Sequence, residues 1–234
     1  MNKEEFIKDV EKLGIIITEE KLDKLNKYYE LLIEWNEKIN LTAITEESEV
    51  YLKHFYDSLT LIKAYDLNKN IKVLDVGTGA GLPGIVLKIF FDNIDITLVD
   101  SLNKRINFLN IVIDELKLKN IEAIHTRAED FAKENIEKYD LVTSRAVARL
   151  NILNELCIPT LKVGGYFIPM KANIDEELKE SKKSIEVLNS KLENIISFNL
   201  PIENSIRNLV IIKKMDKTNN KYPRRYDLIK KKPL

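Results

Sequence analysis

The stretch Val73-Leu74-Asp75-Val76-Gly77-Thr78-Gly79-Ala80-Gly81-Leu82-Pro83-Gly84 decides the fold. It closes an apolar, β-branched run, Ile71–Val76, that reads as a strand, and it leads into the apolar helical segment Ile85–Phe91. Four of the chain's seven glycines stand in its last eight residues. A turn so dense in glycine lets the backbone pass under a ligand with no Cβ in the way. Between a strand and a helix, such a turn lies at the carboxyl ends of an open parallel sheet, where ligands bind. The plain alternative is an ordinary strand-to-helix turn.

Outward from this loop the pattern alternates. Asp95–Asp100, Ile121–Thr126 and Asp140–Ser144 read as strands, Gly165–Met170 and Asn208–Ile212 as later ones, and Ile195–Phe198 as a weaker one. Asn103–Leu118 and Asp175–Leu192 have helical length and charged faces. Such alternation predicts an α/β fold, a mostly parallel sheet with right-handed crossovers and helices on both faces. The chain before residue 66 reads as helix instead. Phe6, Val10 and Leu13 fall at helical spacing before Gly14, and Thr18 is an N-cap ahead of Glu19 and Glu20. Leu22, Leu25, Tyr29, Leu32 and Ile33 form an apolar stripe that Trp35 and Ile39 prolong, and a further helical stretch is expected from Asp57 to Ala64. The expected organisation is a helical extension over 1–66, a Rossmann-like domain over 67–215 and a basic tail over 216–234.

Composition bounds the function. At 234 residues, 44% of them hydrophobic, the chain has the size and core of one elaborated domain. Cys157 is the only cysteine, so no internal disulfide can form and a reducing compartment is the default. The N-terminus turns acidic at once, unlike a signal peptide, and Lys or Asp breaks the apolar runs before any could span a bilayer. A cytoplasmic protein is expected. Net charge is zero, yet residues 1–50 carry 7 basic and 13 acidic side chains, and residues 213–234 carry 9 basic and 2 acidic. That asymmetry suits a basic segment for an anionic partner, and equally a solvated Lys-rich end.

Asp75 followed by Gly77-x-Gly79-x-Gly81 resembles the first motif of the class I S-adenosylmethionine-dependent methyltransferases, whose acid lies near the ammonium-bearing end of the cofactor. Gly79-x-Gly81-x-x-Gly84 also fits the dinucleotide fingerprint. Asp100 ends the second strand, 23 residues after Gly77, where a carboxylate can accept from ribose hydroxyls in either class. Arg127-Ala128-Glu129-Asp130 follows the third strand and should lie over an adenine ring. There Glu129 could take the exocyclic amine and the Ala128 segment offer an N–H. Glu129 is equally readable as a first-turn acid of the next helix. Arg145, at the end of the fourth strand, suits a cofactor carboxylate, an RNA phosphate or a neighbouring acid.

Further residues resemble one family, the bacterial small-subunit rRNA guanine-N7 methyltransferases known as RsmG or GidB (glucose-inhibited division protein B). They are Trp35-Asn36, Asn40-Leu41-Thr42, His54-Phe55-Tyr56-Asp57-Ser58-Leu59, the Leu82-Pro83-Gly84 loop ending, Leu98–Arg105, Ser144-Arg145-Ala146, and the closing Tyr222-Pro223-Arg224-Arg225 and Lys232-Pro233-Leu234. The resemblance covers nearly the whole chain. It implies a Rossmann-like class I methyltransferase fold that binds S-adenosyl-L-methionine through Gly77, Leu82, Ala128, Glu129 and Arg145. It also implies a substrate, a guanine in the 530 loop of 16S rRNA within a small-subunit ribosomal particle. Ala172 after Lys171 departs from the family, which more often has glycine there.

The site residues expected are therefore Gly77, Gly79, Leu82, Asp100, Ala128, Glu129 and Arg145 for the cofactor, with Lys171, Arg224 and Arg225 for RNA. Arg224 and Arg225 stand between Tyr222 and Tyr226, and interleaved guanidiniums and aromatic rings suit irregular RNA. No catalytic acid or base is apparent, which is compatible with attack by guanine N7, whose lone pair is free at neutral pH. Cys157 in its apolar context reads as an inert thiol, His54 as a structural histidine. His54 and His125 stand in unrelated contexts, so no metal site is expected. The expected protein is a monomer. The alternatives are a methyltransferase-like RNA-binding or assembly module and a methyltransferase acting on another RNA.

Overall fold

The structure, a computed structural model, describes all 234 residues. In chain order its elements are α1 (Lys3–Lys12), α2 (Glu19–Ile39), α3 (Glu47–Val50), a π-helical turn (Tyr51–Tyr56), α4 (Asp57–Leu59) and a 3-10 turn (Thr60–Lys63). There follow β1 (Lys72–Val76), α5 (Gly84–Phe90), β2 (Asp95–Asp100), α6 (Asn103–Glu115), β3 (Ile121–His125), α7 (Ala128–Glu134), β4 (Tyr139–Arg145) and α8 (Leu150–Cys157). The chain closes with β5 (Leu161–Lys171), α9 (Asp175–Val187), β6 (Ser190–Asn199), β7 (Ile206–Lys214) and α10 (Tyr226–Lys231). The strands form one seven-stranded sheet of order β3-β2-β1-β4-β5-β7-β6. β1 to β5 run parallel, and β7 lies antiparallel between β5 and β6. Strand order reverses between β1 and β4, so the loops leaving them diverge and open a crevice at the carboxyl ends.

The central strands are apolar toward both faces because both are covered: Val73, Leu74, Val76, Ile96, Leu98 and Val99 are all buried. On one face Ile85, Leu98 and Leu109 share a core with Phe6, Val10, Leu25, Leu32 and Phe55. The N-terminal helices are thus a layer of the same core. On the other face Val142, Leu150, Leu153, Phe167 and Leu188 pack together with Tyr222 and Ile229. Residues 216–234, expected as a basic tail, therefore return to the domain and bury Tyr222, Pro223 and Ile229 in it.

Other differences from the sequence reading are local. The helical stretch expected from Asp57 begins at Glu47 and passes through the π turn, where Tyr51, Leu52, His54, Phe55 and Tyr56 are all buried. A turn buried on nearly every side has no amphipathic stripe to reveal it. α9 stops at Val187, short of the expected Leu192, because Ser190 onward belongs to β6. β6 is a full ten-residue edge strand whose only neighbour is β7, and its mostly exposed side chains make its period weak. No helix is long and apolar enough to cross a membrane.

Gly84 marks where packing is tightest: a Cβ built there would overlap the Leu98 Cδ2 methyl and stand 3.0 Å from Asp75 Oδ2. Both neighbours are fully buried and cannot swing aside. Gly84→Ala should therefore lower unfolding stability by about 1–3 kcal/mol, as overpacking of a filled core does. Chemical denaturation measures it, and a wild-type midpoint would contradict this packing.

Candidate active site

A cleft of about 240 Å³ opens at the carboxyl ends of β1 to β4, and Gly77, Asp100, Ala128 and Glu129 all line it. Sequence reasoning proposed these four together, and the fold brings them together. Asp100 is nearly buried and already accepts three hydrogen bonds: Gly79 N at 3.0 Å, Leu102 N at 2.9 Å and Arg105 Nη1 at 3.2 Å. A carboxylate has about four acceptor directions, so with these donors in place it can take one further hydroxyl rather than two. Glu129 has the position that both of its readings require. It sits in the first turn of α7, lines the cleft, and accepts from Arg127 Nε. Asp130 N and Phe131 N donate to Arg127 O, which leaves the Ala128 and Glu129 amides without acceptors and able to donate toward a ring nitrogen. A ribose acceptor beside an amine acceptor and free N–H groups fits an adenosine moiety.

Gly79 and Leu82 occupy different places from Gly77. Gly79 adopts φ of +61°, donates to Asp100, and has open space where a Cβ would stand. Leu82 is buried in the core that includes the N-terminal layer, so its part is to seat the loop. Asp75 does not line the cleft. Fully buried at the end of β1, its Oδ2 accepts from the Thr78 hydroxyl at 2.7 Å and from Gly84 N at 3.0 Å, while Oδ1 has no partner. Burial pushes its pKa up to about 6. From the N-terminal layer, the Tyr28 hydroxyl donates to Ala80 O at 2.5 Å and fixes the crest of the same loop.

Arg145 turns away from the cleft. Its Nη1 donates to Lys53 O at 3.1 Å and to Asp57 Oδ2 at 3.3 Å, while Arg207 Nε reaches Asp57 Oδ1 at 3.2 Å. These groups line a second cavity of about 430 Å³ together with His54 and Lys171. Ala146, in the left-handed backbone region at φ of 55°, lines both hollows and forms the threshold between them. Lys171 is held there by Ala148 O at 2.6 Å and Glu177 at 2.8 Å, with only 11% of its side chain exposed. His54 Nε2 lies 2.9 Å from the Thr42 hydroxyl, and its buried Nδ1 has no partner. Asp57 was quoted within a motif but read only as helix, and Arg207, one cation in a strand, carried no signal.

The arginines expected on RNA separate. Arg224 forms a bidentate pair with fully buried Glu155, Nε to Oε1 at 2.8 Å and Nη2 to Oε2 at 2.6 Å, and its backbone N–H adds a third bond at 2.8 Å. That commitment makes Arg224 an anchor of the C-terminal segment, since freeing it would strand a buried carboxylate. Arg225 is exposed, beside only Asp227 at 3.4 Å. Tyr226, read from sequence only as a ring suited to RNA beside Arg225, lines the cleft. Cys157 is buried, and burial pushes its thiol well above the usual range.

Burial and the Arg145 charge hold His54 down to about 4, from an ordinary value of 6.5, so it is neutral near pH 7. The unfolded chain then takes up a proton first, and this contribution to stability, present above about pH 6.5, is lost as pH falls toward 4. Near pH 5 the loss is about 2 kcal/mol. Asp75, raised in the fold, acts with the opposite sign, so the His54 effect is isolated by comparing His54→Gln with wild type. Between about pH 8 and pH 5 the variant should gain about 2 kcal/mol on wild type in denaturant unfolding. Parallel profiles would contradict a buried neutral imidazole.

With this geometry in view, comparison with known proteins gives one answer. The family described as GidB, rRNA small subunit methyltransferase G, matches residues 21–210. A ribosomal RNA small subunit methyltransferase G of Desulforamulus reducens is 56% identical over 221 residues, covering 93% of this chain and 92% of its own. One from Lysinibacillus sphaericus is 50% identical over 238 residues, covering 100% of both chains. Among solved structures, an S-adenosylmethionine-dependent methyltransferase from Aquifex aeolicus superposes with a TM-score of 0.55 at 17% identity, covering 78% of this chain and 98% of its own, a likeness of fold. The chain belongs to the GidB family, the rRNA small subunit methyltransferases G.

Proposed function

We propose that this chain transfers the methyl group of S-adenosyl-L-methionine to N7 of a guanine in the 530 loop of 16S rRNA, acting as a cytoplasmic monomer on a small-subunit ribosomal particle. One observation carries the reading: an adenosine-fitting cleft and a cation-lined cavity meet at a single residue, Ala146. Family membership supports the methyl donor and the rRNA substrate. The cavity supports the finer assignment, because it pairs an acceptor, Asp57, with Lys53, Arg145, Lys171 and Arg207.

When bound, S-adenosylmethionine supplies an electrophilic methyl group. The chain's own residues then position and screen. Asp100 and Glu129 orient the adenosine, and the Gly77 turn lets it lie against the backbone. Beyond Ala146, Asp57 is suited to accept from the N1–H and amino group of guanine, a donor edge that adenine lacks. Arg145 and Arg207 hold that carboxylate in place, and the one positive charge they leave uncompensated favours a phosphate. N7 carries a free in-plane lone pair, so no side chain has to remove a proton before attack. Neutral His54 serves as a partner for Thr42 rather than as a base. Most of the acceleration then comes from alignment.

Two measurements test this. In 16S rRNA from cells lacking the protein, mass mapping should find the N7-methylguanine of the 530 loop missing; unchanged content would overturn the proposal. With purified protein, Asp57→Asn should lower kcat/KM for the RNA by about 10–100-fold, the usual loss for one charged hydrogen bond, and leave cofactor affinity unchanged. A non-catalytic assembly module is the outcome if the wild-type protein binds no S-adenosylmethionine.

A further inference from the structure

The C-terminal segment does more than carry charge. Its Tyr226 ring enters the lining of the cleft at the end formed by Thr126, Ala128 and Glu129, the end whose donors and acceptors match a purine edge. The ring is held there from three sides. Two residues before it, Arg224 grips the buried Glu155 of α8. Three residues after it, Ile229 is fully buried in the core. On its face, the Arg127 guanidinium lies 4.8 Å from the ring centroid while donating through Nε to Glu129. One Arg thus links the aromatic wall to the carboxylate of the same pocket.

We propose that Tyr226 is a cofactor-binding residue, its ring closing the adenine end of the cleft, so that the start of the last helix completes the cofactor site. The inference rests on the reading that this cleft takes S-adenosylmethionine. The ligand class is set by the wall itself: a flat π-face beside a guanidinium, a carboxylate acceptor and free backbone N–H groups fits a purine nucleoside. It also separates two jobs within one basic segment. Arg224 anchors, Tyr226 covers the cofactor, and the exposed Arg225 is the member left free for phosphate.

The test is calorimetric titration with S-adenosylhomocysteine, which binds without reacting. Tyr226→Ala should weaken binding on the order of 10-fold, the scale of one base–aromatic stack. Tyr226→Phe should restore it, since the face and not the hydroxyl acts. Lys231→Ala, on the exposed side of α10, should match wild type. To cover a variant that folds poorly, tyrosine-labelled wild-type protein is followed by NMR, where the Tyr226 ring resonances should shift upfield as S-adenosylhomocysteine is added. Wild-type affinity in a folded Tyr226→Ala protein, or unmoved Tyr226 resonances at saturation, would overturn the inference and leave the cofactor reading intact. No binding by the wild-type protein would overturn both.

Discussion

The buried carboxylate of Asp75 is the constraint on which the site depends. It stands at the end of β1 with no exposure to solvent, and its Oδ2 draws the Thr78 hydroxyl and the Gly84 amide onto one atom. That closes the glycine turn on itself. Residue 84 must be glycine because the turn leaves no room for a side chain between Asp75 and Leu98. From below, Gly77 N donates to Val99 O at 2.8 Å, and from the N-terminal layer Tyr28 binds the loop's crest. Burying a carboxylate with one oxygen unpartnered is costly, as its raised pKa reflects. What it secures is a backbone path that can approach a ligand while two glycine amides stay fixed.

A second buried carboxylate organises the neighbouring cavity. Asp57 lies 88 residues from Arg145 and 150 from Arg207 in the chain, and it joins the N-terminal layer to β4 and β7. Together the two acids divide the labour: Asp75 shapes the loop on the cofactor side, and Asp57 places two guanidiniums on the other. Ala146 lies between them. The helical layer is therefore part of the site as well as of the core, since it supplies Tyr28, Lys53, His54 and Asp57.

Much of this was legible in the chain. The alternation of strands and helices, the glycine turn and Asp100 are local signals, fixed by periodicity and by spacing along one βαβ unit. What escaped depends on distant pairs. Nothing beside Arg145 reveals that Asp57 will claim it, and nothing beside Arg224 reveals Glu155, 69 residues away. Each arginine sits in a motif that invites a ligand role, and each is held by a carboxylate far away in the chain. β6 was read short for the opposite reason: a mostly exposed edge strand takes its order from β7, and its own sequence barely alternates. Tyr226 read as an RNA-facing ring, and nothing local places it at the cleft, because only the return of the C-terminus brings it there.

In the proposed reaction, cleft and cavity are two ends of one transfer path. A crystal structure of the protein with S-adenosylhomocysteine tests it most directly. The adenine should lie between the Ala128–Glu129 turn and Tyr226, the ribose on Asp100, and the sulfur facing Ala146 and the cavity of Asp57 and Arg145. A ligand whose sulfur points away from Ala146, or whose adenosine lies outside this cleft, would contradict it.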